Sequence, residues 1–231
     1  MHRSSQQLTT SHAHFAWKVH VGLDAPVWFR GEGEAAADVQ VLVVPPGVQH
    51  ATGAHGWSAA IFLSPGVRGV PFRGSGQAFA LDGIRARQLV DVCRGYASSD
   101  RAGLAELADE VARLSLGDLP QGKLDRRAQA VLSAIAADPG ITPTQLAQAH
   151  GITVDRLSRL IVAGTGMGLR RHALWRRLLG VLSDPTRHAS LAAAAFAHGF
   201  ADHAHMTRCY RAFLGRSPSE FAAPPDVVAP W

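Results

Sequence analysis

Between Leu146 and Phe213 the chain repeats itself. Leu146-Ala147-x-x-x-Gly151-Ile152 returns 48 residues later as Ala194-Ala195-x-x-x-Gly199-Phe200. The small residue lets two helices cross closely, and the glycine takes a turn conformation that a Cβ would oppose. Each unit reads as a short helix, a tight turn and a second helix, which is helix-turn-helix spacing. Leu146, Ala147, Ile152, Leu157 and Leu160 form the expected core of the first unit. Phe200, Met206, Tyr210 and Phe213 anchor the second, whose turn is one residue longer. Thr142 with Gln145 makes a capping box around Pro143 at the first helical position, and Asp202 caps the last helix.

Charge follows this division. The 231 residues carry a net charge of +5. Residues 123–231 hold 13 Lys and Arg against 7 Asp and Glu, whereas residues 1–122 hold 10 against 11. Twelve of those 13 cations are arginines, whose planar forks suit phosphates and guanine edges. A solvated surface is the bland alternative. No apolar run approaches the ~18 residues of a membrane helix, and the polar start lacks the apolar stretch of a signal peptide. A soluble cytoplasmic protein without a membrane partner is expected. Cys93 and Cys209 are too few for a disulfide framework or a cysteine-based zinc site.

The N-terminal half has a different texture. Phe15–Val21, Val27–Phe29, Val39–Val44 and Trp57–Leu63 are short apolar stretches separated by turn signals such as Pro45-Pro46-Gly47. They predict a β-barrel or sandwich over 1–80. Helices follow over 81–116, where Leu104, Leu107, Val111 and Leu114 form a narrow stripe. A linker is expected at 117–123, helices at 124–222 and a tail at 223–231. The fold class is α+β and multidomain.

Gly199-Phe200-Ala201-Asp202, Met206-Thr207-Arg208-Cys209-Tyr210 and Gly215-Arg216-Ser217-Pro218-Ser219-Glu220-Phe221 resemble the signature of AraC/XylS-type transcriptional regulators. Thr165-Gly166 and Arg177 match further positions, so the resemblance covers about residues 124–222. Ala204, Met206 and Ile161 depart from the family's usual serine, phenylalanine and aromatic. The resemblance implies two helix-turn-helix units joined by a long helix, here Gly168 to Leu182, that places both in successive major grooves. It implies base-facing positions at Asp155, Arg156, Ser158 and Arg159 and at His203, Ala204, His205, Thr207 and Arg208. Arg159 and Arg208 can grip guanine bidentately. Asp155 either accepts from cytosine or caps its helix. Arg170, Arg171, Arg176, Arg187, Arg211 and Arg216 are phosphate candidates, and Arg177 is expected to brace the scaffold.

His12-x-His14 and Pro45-x-Gly47-x-x-His50 look like the half-motifs of a cupin barrel. In metal-binding cupins such histidines hold a divalent ion, often with a glutamate at the position that is Lys18 here. His12, His14 and His50 remain a possible three-nitrogen site, or they line a ligand pocket or sit at the surface. Sensors of this family carry such barrels before the DNA-binding part, which implies a small-molecule effector. Trp17, Trp28, His50, Trp57 and Phe62 are pocket candidates, with plain core as the alternative. The Leu104–Leu114 stripe either pairs with its copy in a homodimer or packs on the barrel.

The reading favoured is a sequence-specific regulator of double-stranded DNA, without enzymatic activity, for which RNA polymerase is a plausible partner. One alternative is a cupin-type metal-dependent enzyme with an accessory helical domain. Another is an architectural nucleic-acid binder without a ligand.

Overall fold

The structure, a computed structural model, describes residues 2–4, 8–66, 70–71, 76–96, 101–119, 124–184 and 190–220, with 2–4 and 101–102 as backbone only. The N-terminal half holds two antiparallel sheets. In the larger, β1 (His2–Ser4), β7 (Ser58–Leu63), β2 (Trp17–Gly22), β5 (Val41–Val44) and β8 (Phe79–Leu81) lie side by side in that order. In the smaller, β3 (Val27–Gly31) is flanked by β4 (Ala37–Val39) and β6 (His50–Ala54). Val27 and Phe29 of one sheet pack on Leu42 and Val44 of the other. Among the described residues no ladder joins the two sheets, so the expected barrel takes the form of two facing sheets.

Side-chain alternation explains what each face of β2 does. Trp17, Val19 and Val21 enter a core with α1 (Gly83–Gly95) and α2 (Arg101–Leu116), which cover the outer face of the larger sheet. Lys18 and His20 point the other way, between the sheets, where Lys18 reaches Thr52 on β6. Leu104, Leu107, Val111 and Leu114 are all buried within the chain, and the last three belong to this same core. The stripe thus covers the chain's own sheet and is not free to pair with a second copy.

The C-terminal half is helical. It comprises α3 (Arg126–Ala137), α4 (Pro143–Ala149), α5 (Val154–Thr165), α6 (Leu169–Ser183), α7 (Leu191–Ala197), α8 (His203–Leu214) and a 3-10 turn at Pro218–Glu220. α4–α5 and α7–α8 are the two helix-turn-helix units. Gly151 and Gly199 take φ of +62° and +73°, and the second turn is one residue longer, as the repeat predicts. The Thr142–Gln145 capping box and the Asp202 cap both form. The first unit closes over Leu146, Ala147 and Leu157 with α3, while Ile152 and Leu160 lie at its margin. Phe200, Met206, Tyr210 and Phe213 are buried in the second. The connecting α6 has 15 residues, hence a length of about 22 Å. No helix among the described residues is long and apolar enough to cross a membrane. Residues 120–123 of the expected linker and the tail at 223–231 lie outside the described residues.

Candidate functional site

The first recognition helix, α5, is capped by Thr153, which accepts from the Arg156 backbone N–H. Asp155 is therefore not the cap. It pairs with Arg159 one turn on, at 2.6 Å, with both side chains about three-quarters exposed. Such an exposed pair is worth ~0.5 kcal/mol or less, so Arg159 can leave it for a base at little cost. Arg156 is exposed beside it and Ser158 is half-buried. On α8, the Asp202 carboxylate accepts from the His205 N–H at 2.6 Å. His203, Ala204 and Arg208 are exposed, and Thr207 is half-buried. His205 turns its ring edge-on to Phe200 at 5.5 Å, so it serves the packing of the unit as well. Both helices thus present the side chains named from the sequence.

The phosphate candidates separate. Arg170 and Arg211 are exposed. Arg171 lies over the Phe15 ring at 4.9 Å, and Arg176 lines a half-open cavity where burial lowers its pKa. Arg171 stays exposed, while Arg176 is half-buried. Arg216 is half-buried, and burial lowers its pKa too. Arg187 lies outside the described residues. Arg177 donates from Nε to the Pro139 carbonyl at 3.2 Å and lies against Gly199, so it braces α6 against both units.

In the N-terminal half, His12, His14 and His50 converge. One ring nitrogen of each lies within 4.8 Å of the others, and all three residues are buried. Each Nδ1 faces a backbone carbonyl: His12 that of Thr10 at 2.8 Å, His14 that of Ala16 at 2.7 Å, His50 that of Val48 at 2.9 Å. A carbonyl only accepts, so each Nδ1 carries the proton and each Nε2 keeps its lone pair. Nε2 of His14 and of His50 has no hydrogen-bond partner. Burial, aided by nearby positive groups, lowers all three pKa values, that of His12 to about 4.

Lys18 shares this interior. Its ammonium donates to Thr52 Oγ1 at 2.5 Å, and burial lowers its pKa from 10.5 to about 7. Between those values the unfolded chain keeps the proton and the folded chain has released it. Stability contributed by this group therefore rises with pH from about 7 to 10.5, and the cost of burial is full below 7. Lys18→Met should stabilise the protein by about 1–4 kcal/mol at pH 6 and flatten that rise. Urea unfolding at pH 6, 8 and 10 reads both effects; an unchanged slope would mean that Lys18 is hydrated.

Of the five expected pocket residues, His50 and Phe62 both border His14. Trp17 is core, its indole N–H bound to the Pro71 carbonyl at 2.7 Å. Trp28 carries Arg30 over its ring, and Trp57 is 53% exposed. His50 belongs to the histidine cluster. Phe62, at the sheet edge, stands between His14 and Trp175. A cavity of about 460 Å³ lies instead where the two halves meet, walled by Phe15, Pro46, Ile135, Met167, Trp175 and Arg176 among others.

The sequence did not disclose this junction. The strand-like segment Thr9–Phe15 is held on both sides. His12 and His50 exchange backbone hydrogen bonds at 2.9 Å, while Thr10 N–H bonds the Gly215 carbonyl at 3.0 Å and Ala13 N–H that of Ala212 at 3.3 Å. Phe15 then enters the core of the second unit against Trp175 and Phe213. Gly215, at φ +69°, ends α8; a Cβ there would come within 2.6 Å of the Thr10 carbonyl oxygen. Gly215→Ala should cost about 1–3 kcal/mol from backbone strain and loosen Thr9–Phe15 from α8. Faster hydrogen exchange at Thr10 and Ala13 would show it; unchanged protection there would count against the contact.

A model described as a helix-turn-helix domain matches residues 146–223. No curated protein matches the chain by sequence. Solved structures of ToxT from Vibrio cholerae match along nearly all of it. One, from strain O395, has a TM-score of 0.58 at 10% identity and covers 95% of this chain and 94% of its own. Another, wild-type ToxT bound to an unsaturated fatty acid, has a TM-score of 0.60 at 10% identity and covers 94% and 91%. The chain is thus similar in fold to ToxT over both halves, and its residues 146–223 match a helix-turn-helix domain.

Proposed function

We propose that this protein is a sequence-specific DNA-binding transcriptional regulator whose N-terminal half senses a small molecule. The observation that carries the reading is the pair of capped recognition helices, α5 and α8, with Arg156, Arg159 and Arg208 exposed and a braced 15-residue helix between the units. Such an arrangement suits two successive major grooves on one face of DNA, about 34 Å apart. Arg159 and Arg208 are the guanine readers, with Asp155, Arg156, Ser158, His203, Ala204, His205 and Thr207 supporting. Arg170 and Arg211 hold phosphates. Such a protein works beside DNA in the cytoplasm, and a homodimer would use a surface other than the buried leucine stripe.

The junction cavity is the preferred effector site. Its walls come from both halves, so a ligand there has different contacts when they separate, which is what a population shift requires. An apolar lining with Arg176 at one side suits a molecule with an apolar body and an acidic group. The fatty acid in the ToxT structure is consistent with that chemistry. Footprinting on a recovered binding site tests the reading. Two protected major-groove segments about one helical turn apart are expected. Even protection without sequence preference would favour the architectural alternative.

A further inference from the structure

The histidine cluster has chemistry that DNA binding does not use. Three imidazoles have their Nδ1 protons fixed by carbonyls, and one ring nitrogen of each lies within 4.8 Å of the others. Nε2 of His14 and His50 is buried without a partner. Unprotonated ring nitrogens gathered in a buried cluster favour an electron-poor guest. With their protons on Nδ1, the Nε2 atoms offer an anion no N–H to bind. A metal ion would be bound by all three, and carbonyl-anchored Nδ1–H groups are the usual outer support of metal-ligating histidine.

We propose that His12, His14 and His50 bind a divalent transition-metal ion of the class that prefers imidazole, such as zinc or cobalt, and that this ion sets the docking of the second helix-turn-helix unit. Three nitrogens leave one position open on a tetrahedral ion. Nitrogens about 2.0–2.1 Å from such an ion stand about 3.4 Å apart. The ring nitrogens now span up to 4.8 Å, so binding must draw them together. His12 and His14 lie on the segment that bonds β6 on one side and the end of α8 on the other. Any shift of that segment reaches Ala212 and Gly215, one to two turns beyond Thr207 and Arg208 on the same helix. Lys18 ties to Thr52, and neither cysteine is near the cluster's ligand set. The regulatory half of this inference rests on the DNA-binding reading above; metal binding does not.

The test uses the untagged full chain, stripped with a chelator. Cobalt(II) titration is followed by visible absorption and calorimetry, with magnesium as the hard-cation control. One cobalt per chain with tetrahedral-type bands is expected, and no magnesium binding. His14→Gln and His50→Gln should each weaken cobalt more than about tenfold. Because either variant can misfold, thermal unfolding of the wild-type chain is measured too: zinc should raise Tm in a concentration-dependent way. A folded wild-type chain that binds neither cobalt nor zinc stoichiometrically overturns the site. The third arm measures affinity for a recovered DNA site with and without zinc. A change of at least several-fold, absent in His50→Gln, supports the coupling. Stoichiometric metal with unchanged DNA affinity overturns the coupling and leaves the site. Metal binding with no specific DNA binding under any condition overturns the regulator reading instead.

Discussion

Alanine at both Arg159 and Arg208 is expected to weaken binding to a cognate DNA site by about 2–6 kcal/mol, at ~1–3 kcal/mol for each lost bidentate contact. That is roughly thirty-fold to more than ten-thousand-fold in affinity. The two residues stand on separate units, so their effects should add. Neither change should disturb the fold. Arg159 has only an exposed pair with Asp155, and Arg208 is exposed on α8. Specificity should relax at the two base positions alone. Alanine at Arg170 or Arg211 gives the contrast: affinity falls evenly across sequences and the salt slope drops by about one. Fluorescence anisotropy at several salt concentrations separates the two patterns. Wild-type affinity in the double variant would remove the base-contact assignment.

The second large effect is expected at the junction. Phe15 belongs to the N-terminal half by sequence, yet it is buried in the core of the second helix-turn-helix unit. Its ring packs against Trp175 and Phe213 at centroid distances of 6.1 and 5.0 Å, with the Arg171 guanidinium above it. Phe15→Ala should cost about 3–5 kcal/mol. Since the contact joins the halves, unfolding should change from one cooperative transition to two. The units themselves close over Leu157 and over Met206 and Tyr210 and should survive. Calorimetry with near- and far-ultraviolet dichroism reads the change. An unaltered single transition would mean that Phe15 does not join the halves in solution.

Acid should weaken the same region. Burial lowers the pKa of His172 from 6.5 to about 4, with Arg176 adding to the effect. Below pH 6.5 the unfolded chain takes up a proton that the fold refuses, so stability falls from about pH 6.5 toward 4. His172→Gln should reduce that slope in urea unfolding at pH 7, 6 and 5.

The helical half was legible in the sequence because its rules are local. Gly151 and Gly199 mark turns, Thr142 and Asp202 mark helix starts, and the apolar spacing follows one helix face at a time. The histidines were legible as two short motifs, although only the fold shows that their rings meet. The Leu104–Leu114 stripe shows the limit of periodicity. It says that a helix face is buried, not what buries it, and here the chain's own sheet does so. The junction left no local trace. Thr10 and Gly215 are 205 residues apart in sequence, and nothing in the local sequence around Arg176 marks it as a cavity wall.

The central claim is that the two units read DNA sequence together. Capture of genomic fragments by the purified full chain at near-physiological salt, followed by sequencing, tests it most directly. The account predicts a small set of enriched sites, each with two short motifs centred about one helical turn apart. Those sites should vanish in the Arg159→Ala/Arg208→Ala variant. Uniform enrichment across the genome, equal in the variant and lost steeply with salt, would contradict it.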